Sequence, residues 1–210
     1  MKRFTLLIII LFFTSCATQG VITDISDLQE PAKTQYLRVR TVCDKLLPYM
    51  FPEDFNKFIF KIIETEEVNA FVDTNDKLVV TYGAMKVFND TELWYLLSHE
   101  YSHIKLNHMG NRVLLSSLLT IGFMVANVFV PGVGLVNYAA NPLLVNTYSR
   151  KQEIEADINA VETLNYFNFK PQNYIDFLTK AQSMGKEEGG MFSTHPTFEA
   201  RINAVKEKYK

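Results

Sequence analysis

His99-Glu100-Tyr101-Ser102-His103 is the stretch of this 210-residue chain whose residue types and spacing point most directly to chemistry. On a helix, two histidines four residues apart leave the same face about a turn apart, so their imidazoles converge. Two neutral imidazoles so placed are half of a catalytic zinc site. Glu100, beside the first, can reach the open coordination position and take a proton from water there. The plain alternative is a surface helix with two histidines and a salt-bridging glutamate.

A catalytic zinc needs a third protein ligand. A metzincin would place Gly three positions and His six positions after His103, but Leu106 and Met109 stand there, which excludes that class. The alternative is a carboxylate from a second helix. Within Ser149-Arg150-Lys151-Gln152-Glu153-Ile154-Glu155-Ala156-Asp157, Glu153 and Asp157 are four apart and share a face, while Glu155 points elsewhere. One of the pair can bind zinc while its neighbour hydrogen-bonds a ligand imidazole. Ala156 leaves room for close helix approach. Of the other two histidines, His108 lies near the end of the first helix and reads as a cationic or capping residue. His195 precedes Pro196, which restricts its backbone. A donor there could stabilise the oxyanion of a tetrahedral intermediate.

The elements that must position these groups are legible as patterns. Residues 28–48 carry apolar positions at helical spacing. Residues 58–63, 68–72 and 77–81 are short β-branched and aromatic runs that read as strands, the last two joined by the turn Asp73-Thr74-Asn75-Asp76. Asn89 with Glu92 forms a capping-box start for a helix running to about Asn107. Further helices are predicted over 146–167, 171–184 and 196–209. The expectation is an α+β fold, a mostly helical zincin-type domain over 28–210 with a small antiparallel sheet beside the HExxH helix.

A net charge of -2 and a sequence pI near 6.1 speak against an electrostatic nucleic-acid binder. Lys2 and Arg3, the apolar run Phe4 to Phe13 and the small residues Thr14 and Ser15 read as a signal peptide over 1–15. Cys16 follows in the position of a bacterial lipobox cysteine, although Phe13 stands where Leu is preferred. Residues 16–27 then form a lipidated N-terminus and linker. Thr18, in place of Asp, favours the outer membrane facing the periplasm. Cys43, the other cysteine, sits on an apolar helical stripe and reads as a buried free thiol.

Taken together, these residues resemble the gluzincin peptidases that include HtpX and the CAAX prenyl proteases. The resemblance covers roughly residues 60–205. It rests on Asn69-Ala70-Phe71, on His99 to His103 with His108, on Arg150, Glu153 and Ala156-Asp157, and on Thr194-His195-Pro196 with Arg201. It implies one Zn2+ per chain, with Glu153 as the third ligand and Asp157 behind the ligands. It implies that His195 and Arg201 face the active site, with His195 in the oxyanion role. In some relatives the equivalent histidine holds the fourth zinc position at rest. Asn69, Ala70 and Phe71 look like the edge that pairs with an extended substrate. Lacking the repeated spans of HtpX, the chain resembles the minimal periplasmic lipoprotein members. That implies an endopeptidase acting on unfolded or misassembled envelope proteins. The alternative is a chaperone-like lipoprotein that holds clients in the same groove.

Residues 113–149 carry no charge. A single crossing from Val113 to Val130 would separate His99 and His103 from Glu153 across the membrane. A two-span hairpin would avoid that, but its return segment holds Asn137, Asn141, Pro142 and Asn146, which suit lipid poorly. The segment is therefore expected as an apolar helical hairpin, broken at Pro131-Gly132-Val133-Gly134. Packing on the catalytic body is the default reading; dimerisation or contact with the membrane that Cys16 tethers are the others.

Overall fold

A computed structural model of the chain describes residues 21–22, 28–57, 60–73, 75–130, 147–184, 195 and 197–210. The expected signal peptide, Cys16, the Pro131 break and most of the segment around His195 lie outside the described residues.

The helix of the zinc motif is the central element. α3 (Asp90–Lys105) begins at the expected capping box: the Asn89 side chain accepts from the Glu92 N–H at 3.0 Å, and Glu92 accepts from the Asn89 N–H at 2.9 Å. Every residue from Tyr95 to Ile104 is buried, so the helix is covered on all sides. α1 (Ala32–Met50) packs on it, with Val39, Val42, Cys43 and Leu46 buried. Cys43 is indeed a buried free thiol, 3.3 Å from the Tyr101 hydroxyl. α5 (Arg150–Tyr166) makes the most extensive contact with α3. Ala156 and Ala160, both fully buried, let the two backbones approach. α6 (Pro171–Met184) and α7 (Phe198–Lys208) close the body against α5.

The sheet comprises β1 (Val21–Ile22), β2 (Lys61–Ile63), β3 (Ala70–Val72) and β4 (Leu78–Thr81), in the order β1-β2-β4-β3. The α+β class is as expected, but the sheet is mixed rather than purely antiparallel. β3 and β4 form the predicted hairpin, with Ala70 opposite Val80, while β2 runs parallel to β4, with Ile62 opposite Val80. β3 is thereby displaced to the edge beside α3. The Asp73 carboxylate shapes the turn by accepting from the Asn75 and Lys77 N–H groups. β1 falls inside the expected linker, where Val21 and Ile22 pair with Ile63 and Ile62.

A short helix, α2 (Tyr82–Val87), joins β4 to α3 without a periodic signal of its own. Thr81 caps it by accepting from Ala84 N–H at 3.2 Å. Gly83 lies so close to the preceding loop that a Cβ there would sit 2.3 Å from the Glu66 carbonyl and 2.4 Å from that of Glu67. Gly83→Ala is therefore expected to lower unfolding stability by about 1–3 kcal/mol. A urea titration followed by circular dichroism measures it.

Candidate metal centre and active site

α3 presents His99 and His103 to the first turns of α5. Ser149 caps α5 through a box with Gln152, which fixes Glu153 in the opening turn, where the helix N-terminus favours a negative charge. Asp157 follows one turn later. His195 comes from the segment before α7, and Arg201 from α7 itself. All six side chains are buried.

His99, His103, Glu153 and His195 each offer one donor atom, all within 4.8 Å of one another. The Nε2 atoms of His99 and His103 are 3.1 Å apart, and His99 Nε2 is 3.4 Å from His195 Nδ1. Glu153 Oε1 lies 3.0 Å from His195 Nδ1 and 3.6 Å from His103 Nε2. For ligands about 2.0–2.1 Å from a tetrahedral zinc, neighbouring donors are separated by about 3.3 Å. The observed separations scatter around that value. Glu153 Oε2 is also buried without a hydrogen bond of good geometry, although Arg201 Nη1 is 2.9 Å away. Crowded lone pairs of this kind are stabilised by a shared cation, and an imidazole and carboxylate set suits zinc. The residues fit the metal.

The far side of each imidazole is held. His99 Nδ1 is 2.8 Å from Asp157 Oδ1, which turns its Nε2 inward. Asp157 is itself gripped by Arg201, whose Nε and Nη2 donate at 2.7 and 2.8 Å, and by the Tyr174 hydroxyl at 2.7 Å. Burial disfavours the Asp157 anion, but the Arg201 guanidinium outweighs it and holds the carboxyl down to about 2. Glu153 is likewise held well below the ordinary range, His195 and Arg201 prevailing over burial. Burial pushes His103 well below its usual range, helped by His99, so its ring is neutral and able to donate a lone pair.

His108 departs from the capping role expected of it. It opens α4 (His108–Phe129) rather than ending α3, and its Nδ1 lies 2.8 Å from His103 Nδ1. The left-handed Asn107, at φ 52°, makes the turn that folds it back. Two further residues at the site had no sequence signal. Tyr148 stacks on His103 with ring centroids 3.7 Å apart, and Tyr174 completes the Asp157 cage. Each is a lone tyrosine brought in by tertiary packing.

Glu100 has both carboxylate oxygens buried without a hydrogen-bond partner, and Oε1 is 3.4 Å from His195 Nε2. Burial pushes its carboxyl up to about 7, against the pull of His195. Asn69, Ala70 and Phe71 lie at the sheet edge, though not equivalently. Asn69 already accepts from the Thr81 N–H at 3.0 Å and donates to its hydroxyl at 2.9 Å. In an antiparallel ladder bonding alternates. Phe71 therefore also faces β4, and Ala70 and Val72 turn their N–H and C=O groups outward.

A buried HExxH helix packed on a carboxylate helix, beside a sheet edge that no described strand pairs with, suits a metallopeptidase. Residues 36–209 match the family model described as Peptidase family M48, and the chain belongs to that family. It is 24% identical to Metalloprotease LoiP of Escherichia coli (strain K12), over 85% of this chain and 72% of that protein. It is 26% identical to Metalloprotease YcaL of the same organism, over 71% of this chain and 61% of that protein. A match at 22% identity to the Beta-barrel assembly-enhancing protease of Yersinia pestis covers 72% of this chain but 34% of that protein.

Replacing Asp157 by Asn, which keeps shape but removes charge, is expected to weaken metal binding about 10–100-fold. Competition with a chromophoric chelator measures it, on protein whose circular dichroism is unchanged.

Proposed function

We propose that the chain is a zinc-dependent endopeptidase that cuts unfolded or misassembled proteins of the bacterial envelope. The observation that carries this is the buried convergence of His99, His103 and Glu153 beside a Glu100 carboxylate that bonds to nothing else. His99, His103 and Glu153 would hold the zinc. When bound, zinc acts as a Lewis acid on the scissile carbonyl and makes water a better nucleophile.

The remaining work belongs to the chain's own side chains. Glu100, buried and without a hydrogen bond among the described residues, accepts the proton of the attacking water and passes it to the leaving amine. His195 stands among the donor atoms, so it would be available as a further ligand to a bound metal. Turned away from them, its N–H can donate to the developing oxyanion. Arg201 keeps Glu153 and Asp157 ionised. Ala70 and Val72 offer backbone pairing to an extended segment on either side of the scissile bond. Recognition through backbone groups tolerates many sequences but requires an unfolded chain.

The envelope setting draws on the lipobox-like Cys16 and on the relative named for β-barrel assembly, β-barrels being the spanning form of bacterial outer membranes. In this reading residues 1–15 are removed, Cys16 carries lipid, and 28–210 is the catalytic domain.

Glu100→Gln is expected to retain zinc by elemental analysis while casein cleavage falls by about 10²–10⁴-fold or more. Unchanged cleavage by that variant is incompatible with the mechanism. Chelation should silence the unaltered protein, and added zinc should restore it.

A further inference from the structure

α4 is built with its polarity reversed. Nine large apolar side chains between Val113 and Phe129 are 41–80% exposed. At about 100° per residue they occupy an arc of about 200°, centred near Ile121, Val125 and Leu114. Ser116, Thr120 and Asn127 fall together on the opposite side. A helix of a soluble domain turns its apolar arc to the core, and an exposed patch this large marks an interaction surface. The default expectation that this segment packs on the catalytic body is thus overturned for α4: after Ser116 none of its described side chains is buried.

Three features say what covers the arc. No charge lies between Val113 and Phe129, and the helix is long and apolar enough to cross a membrane by length and composition. The single hydroxyl within the arc, on Ser117, donates to the Val113 carbonyl at 2.8 Å, so it adds no unpaired hydroxyl proton to that face. The root of the helix carries exposed cations. Lys105 ends α3 just before it, and Arg150 and Lys151 open α5, whose Gln152 side chain donates to the His108 carbonyl at 3.1 Å. Such cations complement anionic headgroups, Lys151 while also lying 3.6 Å from the exposed Glu155 carboxylate. A protein partner would need none of the three together.

We infer that α4 inserts its apolar arc into the bilayer from the side on which the catalytic body sits, with Lys105, Arg150 and Lys151 at the headgroups. Both ends of the excursion return to one place, because Arg112 lies over the Tyr148 ring at 4.2 Å. The metal centre follows, since His108, the first residue of α4, touches His103. The site is held just above the membrane surface. Given the peptidase reading, its substrates are then segments that emerge from, or fail to enter, that membrane.

The test uses the full chain bearing Cys16→Ser, reconstituted in vesicles of phosphatidylethanolamine and phosphatidylglycerol. Cys43 is buried and its thiol is pushed up to about 12, so it does not compete for label. A bimane is attached at Leu114→Cys, Val125→Cys or Val128→Cys, with Lys206→Cys on α7 as the reference. Lipids carrying a nitroxide deep in the acyl chain should quench Val125 and Val128 labels several-fold. Leu114 should respond more to a headgroup nitroxide, and Lys206 to aqueous iodide alone. Iodide quenching at Val125 equal to that at Lys206 overturns the inference. Shielding of Val125 from both iodide and lipid nitroxides also overturns it, in favour of a protein partner or a second copy. Quenching reads the place of α4 without reference to catalysis, whereas casein cleavage tests the peptidase reading, so the two can fail separately.

Discussion

Three carboxylates, those of Glu100, Glu153 and Asp157, are packed side by side in one buried space, and everything around them answers to that charge. Moving an ion out of water costs several kcal/mol even after a protein relaxes, so such groups persist only with partners. Arg201 supplies the permanent positive charge, forked onto Asp157 and beside Glu153. The imidazoles supply polar contact and the place for a metal. Glu100 alone is left without a hydrogen bond, and it is the group whose proton affinity burial raises. The fold resolves the problem unevenly: two acids are tied down as anions, and the third is kept free.

That division explains the helix arrangement. α3 can be buried on every side because its polar residues meet polar groups on the elements around it: His99 meets Asp157 and Ser102 meets Asn159 on α5, and Tyr101 meets Cys43 on α1. The small residues Ala156 and Ala160 let α5 approach closely enough for Glu153 and Asp157 to meet His99 and His103. The tyrosines at 148 and 174 fill the remaining wall while keeping a hydroxyl for polar use. The sheet plays a separate part. Its parallel β2–β4 pairing places β3 at the edge among the described strands, next to α3.

The sequence was most informative where a structural rule acts within a few residues. The His99/His103 and Glu153/Asp157 spacings, the Asn89–Glu92 box and the β3–β4 turn all depend on neighbours three or four positions away, and each was legible. The two-residue β1 strand, the parallel pairing of β2 and the α2 helix depend on partners far along the chain, so local patterns carried no mark of them. His108 was misjudged for a related reason. Its place depends on Asn107 adopting a left-handed conformation that breaks the helix between the two histidines. The apolar run after it was visible as composition, but composition does not tell which side of a helix meets protein and which meets its surroundings.

The positive charge that balances the site comes from the last helix. His99, Glu100 and His103 leave the ribosome, or a translocation pore, about a hundred residues before Arg201 does. Until α7 docks, Glu153 and Asp157 have no guanidinium beside them and no His195 across from them. A chain still in transit thus carries the motif of a peptidase without its working interior.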